Sequence, residues 1–163
     1  MAGSTLLFSE ILDLVHKAKT KEQKVKILKQ YNTPALKAVI KSSFDPNIQW
    51  AIPKGDVPFT RNDVPIGTEH TVLATQSNKL WHFIRGADNE TPQFKKEQMF
   101  IQMCEGLHET EAELLVNAKD KKLHQVYKGL SANVVREAFS WDENFMMLDT
   151  DTYHQAPGSA SGY

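Results

Sequence analysis

Apolar residues recur at helical spacing along most of this chain. Leu7, Ile11, Leu14, Val15 and Ala18 form one stripe and predict a helix over about residues 6–18. Thr20-Lys21-Glu22-Gln23 fits a capping box, with threonine at N-cap and glutamine at N3. A second helix should follow to Tyr31, burying Val25 and Leu28. Thr33-Pro34 restarts the chain with a cap and a proline at N1, where a missing N–H costs nothing. The third helix carries Leu36, Val39 and Ile40 towards Phe44, and Ile48-Gln49-Trp50 is expected to add one helical turn.

The pattern then disappears. Pro53, Gly55, Pro58, Pro65 and Gly67 break any helix and predict a long irregular loop over 51–68. Periodicity returns at Val72, with Leu73, Leu80, Trp81, Phe83 and Ile84 on a helix that should stop at Gly86. Thr91-Pro92 repeats the cap-then-proline signal ahead of Met99, Phe100, Met103, Cys104 and Leu107. Thr110-Glu111-Ala112-Glu113 reads as a second capping box before Leu114, Leu115 and Ala118. Ser131 is the expected cap of a last helix bearing Val134, Val135, Ala138 and Phe139. The expectation is an all-α, single compact domain of about seven helices over residues 1–148, with a polar tail at 149–163.

Length supports one domain, because a chain of 163 residues can bury roughly 70% of its unfolded surface without a disulfide or metal staple. One cysteine, Cys104, excludes an intramolecular disulfide framework and fits a reducing cytosol. No apolar run approaches the roughly 20 residues a membrane span needs. Residues 5–8 lack the basic flank and apolar core of a signal peptide. A cytoplasmic protein without a membrane partner is expected.

A net charge of −1 conceals a polarity along the chain. Residues 16–41 hold eight lysines against one acid, Glu22, whereas residues 62–163 hold nine Lys/Arg against fifteen Asp/Glu. A uniformly basic nucleic-acid binder is excluded, but a basic face is not. A solvated lysine surface fits the same run equally well.

Catalytic chemistry finds no foothold in the sequence. The six histidines are scattered, with no CxxC or HxxxH, and His108 with Glu111 straddles a predicted helix start. Cys104 lies on an apolar stripe without a basic neighbour and reads as a core thiol. GxxxxGK[ST] and GxGxxG are both missing, and Lys54-Gly55-Asp56 has the wrong order for the K-x-D-G motif of adenyl transfer. Glu105, Glu109, Glu111 and Glu113 gather where a helix N-terminus attracts acids for dipole reasons alone. The expectation is no enzyme, no metal, no cofactor and no evident small-molecule substrate.

Binding chemistry is better represented. Lys119, Lys121, Lys122, Lys128 and Arg136 surround a connector that closes at Gly129-Leu130-Ser131. Glycine allows close approach of another backbone, and a serine cap leaves helix N–H groups directed outwards, which suits phosphate oxygens. Two antiparallel helices joined by a wet, lysine-rich loop would carry the same residues. Lys17, Lys21 and Lys24 are secondary candidates for backbone contact.

Leu114-Leu115, Asp120, Lys121, Leu123, Gly129, Val134-Val135 and Ala138 follow an order that resembles the end of the all-helical DNA-binding domain of ATP-dependent DNA ligases. Phe8 to Leu12, Thr20 to Leu28 and Leu36 to Trp50 are similar to the opening helices of small phage ligases. The chain also resembles a family of short proteins from T-even-type phages. The resemblance implies a grip on double-stranded DNA through Lys119, Lys121, Lys122, Gly129 and Ser131, in the cytoplasm of an infected host. The connector is longer here, inserting His124 to Tyr127, and the later half is acidic.

A second function class stays open. Trp141, Phe145, Met146 and Leu148 lie among acids ahead of the polar tail, as in a docking peptide that captures a phage or host protein. The same segment would also serve as a final core element.

Overall fold

The computed structural model describes residues 6–60 and 71–141, in which the regular elements are eight α-helices and one 3-10 segment. The helices are α1 (Phe8–Lys17), α2 (Lys21–Gln30), α3 (Pro34–Phe44), α4 (Leu73–Gln76), α5 (Gln93–Gly106), α6 (Glu109–Lys119), α7 (Leu123–Val126) and α8 (Ala132–Phe139). The expected all-α architecture is therefore observed. One continuous apolar cluster runs from Phe8 to Trp141, and α3, α5 and α6 pack at its centre. Its fully buried leucines include Leu12, Leu28, Leu36, Leu80 and Leu107, each worth about 2–5 kcal/mol against alanine.

Caps place three helices where the sequence expects them. Thr20 Oγ1 accepts from Gln23 N at 3.1 Å, Thr33 Oγ1 from Leu36 N at 3.2 Å, and Ser131 Oγ from Val134 N at 3.3 Å. Each satisfies one N–H that the first turn leaves without a partner. The reciprocal half of the Thr20 box is displaced by one residue, since Gln23 Oε1 accepts from Lys19 N.

Four local expectations are corrected. Ile48 to Trp50 is not a helical turn: Trp50 forms an antiparallel bridge with Ile84, Arg85 N donates to Gln49 O, and Ala51 N donates to Phe83 O. Burial of the indole explains this, because its Nε1–H needs an acceptor and finds Ser42 O at 3.0 Å. The ring lies parallel to Phe83 and edge-on to Phe100.

The helix expected from Val72 to Gly86 tightens to 3-10 over Ser77–Phe83 and then extends at Ile84. Ser77, Leu80 and Phe83 are its buried residues, and a spacing of three suits three residues per turn. α5 begins one residue later than expected, with Pro92 at the cap position. Thr91 N and Glu90 N both donate to Asp88 Oδ1 instead. α6 is capped by His108, whose Nδ1 accepts from Thr110 N. Glu111 leaves the expected capping box because its carboxylate is buried.

That carboxylate joins three elements. Glu111 Oε2 accepts from Phe8 N and Oε1 from Leu73 N, both at 2.8 Å. One side chain thus satisfies the first N–H of α1 and of α4.

Candidate functional site

The candidate residues separate into two basic surfaces. The first forms where α1 ends, α2 begins and the α7–α8 connector passes. Gly129 makes this junction possible: a Cβ there would sit 2.7 Å from Val15 O and 3.0 Å from His16 Cα. Only a residue without a side chain lets the connector lie on the α1 backbone. Gly129 N also donates to His16 Nδ1 at 3.4 Å. Lys24 lies across the same spot, with its Cε 3.0 Å from that Cβ position.

Lys17, Lys24 and Lys128 are therefore carried to this junction by three chain segments. Lys17 and Lys128 are exposed and Lys24 is half-buried. Lys17 pairs with Asp13 at 2.9 Å and Lys21 with Glu137 at 3.0 Å. Both pairs are well exposed, so they hold their lysines only weakly against a competing anion. Ser131 is exposed, and its hydroxyl is occupied as the α8 cap.

The second surface lies around the 45–55 segment. Lys119 was expected at a phosphate contact, but its ammonium is buried. It donates to Pro53 O at 2.8 Å and Gly55 O at 3.0 Å, and pairs with Asp120 Oδ1 at 2.5 Å. Asp120 in turn accepts from Gly55 N. Together they fasten the irregular segment to the end of α6. Lys122 is exposed on the far side of this strap, beside Asp56 and Asn117.

Lys121 adopts a left-handed φ of 59°. Its ammonium donates to Asp45 O at 2.7 Å and Ser42 O at 3.3 Å, capping the end of α3. Burial pulls its pKa below the usual lysine value, Lys54 adds to this by repulsion, and Asp45 opposes it. Asp45 is shifted up, chiefly by burial, against the hydrogen bond from Asn47 and the charges of Lys41 and Lys121.

A cleft of about 720 Å³ opens beside Lys121, lined by Pro46, Trp50, Lys54, Arg85 and Glu97 among others. Its walls come from residues spread between 46 and 121, so no local sequence signal marks it.

The alternative docking segment divides. Trp141 is buried, packed on Phe139 at 4.9 Å between ring centroids, with Lys41 Nζ 5.8 Å from its ring. It is part of the core and not free for a partner. Phe145, Met146 and Leu148, like the tail at 149–163, lie outside the described residues.

Other reactive types are accounted for structurally. Burial pushes the Cys104 thiol up to about 12, so it does not supply a thiolate. Among the described residues no three His, Cys, Asp or Glu side chains gather as a metal-ligand set, and no helix is long and apolar enough to cross a membrane.

The architecture defines an all-α domain with two separate basic surfaces. The chain belongs to DUF6433, a family of unknown function, whose profile matches residues 11–125. That span contains the whole cleft and ends before Lys128, Gly129 and α8. Comparison with the curated proteins and with the solved structures yields no match.

Proposed function

We propose that this protein is a non-catalytic DNA-binding accessory module that contacts the duplex backbone through the α1–α2 corner. The observation that carries this reading is the seat of Gly129 on the α1 backbone, which sets Lys128 beside Lys17 and Lys24. Lys21 follows on the same turn of α2, held only by an exposed pair. Flexible ammonium groups from three segments suit phosphates spaced along a strand and read no base sequence. The likeness of residues 8–28 and 114–138 to the ligase DNA-binding domain, and of the chain to small proteins of T-even-type phages, supports the same reading. On this reading the protein acts in the cytoplasm of an infected host.

Gly129 supports this corner and Lys17, Lys21, Lys24 and Lys128 make the contact, whereas Lys119 and Lys121 hold the separate surface around residues 45–55. Ser131 belongs to the rim of this corner, and Lys122 lies with the second surface.

Fluorescence anisotropy with nicked duplex, intact duplex and single-stranded DNA at two salt concentrations tests this. Duplex binding should weaken with salt, each neutralised phosphate steepening the log–log slope by about 0.9. Lys24→Gln with Lys128→Gln should reduce the slope by about two such contacts. Binding that ignores salt, or that the double variant leaves unchanged, would overturn the proposal.

A further inference from the structure

We propose that the cleft beside Lys121 binds a phosphomonoester of mononucleotide size, independently of the duplex contact. Four cations line one cavity, and three of them, Lys54, Arg85 and Lys121, are incompletely used. Among the described residues Lys54 has no partner, and Arg85 has only Trp50 O, reached through Nε at 3.3 Å. The terminal nitrogens of the guanidinium, which form the fork that matches phosphate oxygens, remain available. Lys121 spends two of its three N–H groups on carbonyls and keeps one.

Among the described residues Glu97 is the one acid on the wall, and it already accepts from Gln93 Nε2 at 2.9 Å. The cleft therefore carries an excess of positive charge suited to a dianion. Lys121 is half-buried and two carbonyls already replace part of its water, so an arriving anion displaces less hydration there.

Size and lining point to more than inorganic phosphate. The volume of about 720 Å³ falls within the range of small-molecule sites, far beyond one phosphate group. Pro46 is exposed on the wall beside the cations, backed by the buried Trp50 and Ile52. A planar or apolar body joined to a phosphate would use both halves.

Two features keep the site rigid. Lys119 and Asp120 tie the strap at Pro53 and Gly55, and Gln93 Nε2 donates to Ala51 O at 2.9 Å. The cations thus stand on a fixed frame before any ligand arrives, which lowers the ordering cost of binding.

Isothermal titration of the full chain with inorganic phosphate, ribose 5-phosphate and a panel of nucleoside monophosphates is the test. At least one organic phosphate should bind about tenfold more tightly than inorganic phosphate, the margin expected when an apolar contact is added. Arg85→Gln with Lys54→Gln should weaken it by about tenfold or more, the loss of a charge-assisted contact. Gln49→Glu, which adds a carboxylate to an exposed position on the wall, should weaken it as well and needs no cation removed. Lys24→Gln with Lys128→Gln should leave it unchanged, so the cleft and the DNA-binding reading fail separately. No heat with any probe overturns the proposal. So does equal binding of inorganic and organic phosphate, or affinity unaffected by both cleft variants.

Discussion

Asp88 shows how much one side chain can organise before a helix. It is buried, and its Oδ1 accepts from Glu90 N and Thr91 N while Oδ2 lies 2.7 Å from His82 Nδ1. Its own carbonyl accepts from the buried Lys96 ammonium at 2.6 Å. Burial alone would raise this carboxyl, but the hydrogen bonds from His82, Thr91 and Glu90 outweigh it and hold the pKa far below the usual range. A depressed folded-state pKa means the unfolded chain takes up the proton first. The stability from Asp88 is therefore complete above the ordinary carboxylate pKa and drains away as pH falls from about 4 towards 2. Asp88→Asn should cost about 1–3 kcal/mol at neutral pH and flatten the acid limb of a melting-temperature profile. If the wild-type and variant profiles stay parallel below about pH 4, the carboxylate is not the group responsible.

Contacts between elements explain which helix boundaries the sequence discloses. Thr20, Thr33 and Ser131 cap the helices that follow them because each cap is local: the side chain reaches an N–H three residues on. Trp50, Glu111 and Ser77 to Phe83 depart from their local patterns because their partners are distant in sequence. Trp50 gives up a helical turn to pair with Ile84, and Glu111 abandons a capping box to serve Phe8 and Leu73. No periodicity marks such an exchange. Glu111 is fully buried and holds the starts of α1 and α4 against α6. Glu111→Gln would turn one acceptor into a donor facing an N–H, leaving that group buried without a partner. The expected loss is about 2–4 kcal/mol of unfolding free energy, read from urea denaturation. A loss below about 0.5 kcal/mol, the range of ordinary surface changes, would show that the two N–H groups find other acceptors.

At the scale of the whole molecule, lysines that look alike in sequence are sorted by packing into different tasks. Lys119, Lys121 and Lys122 are consecutive or nearly so, yet one is buried under Pro53 and Gly55, one caps α3, and one faces solvent. Their sorting depends on carbonyls more than sixty residues away, which explains why the sequence identified the basic character of this region but not its use. Gly129 was legible as a close-approach residue, but the partner that it approaches, the α1 backbone, was not. This single contact links stability to the proposed duplex surface. Gly129→Ala would press a methyl group onto Val15 O and His16 Cα, and backbone cannot rotate aside as a side chain can. The connector must lift, at a cost of about 1–3 kcal/mol, carrying Lys128 away from Lys17 and Lys24. Urea unfolding should record the loss, and duplex affinity should fall at a temperature where the variant remains folded. The cleft, framed by α5 and the 45–55 strap, should keep its ligand affinity. Unchanged stability would contradict the tight seat of Gly129. Lower stability with unchanged duplex affinity would separate the lysine corner from DNA binding.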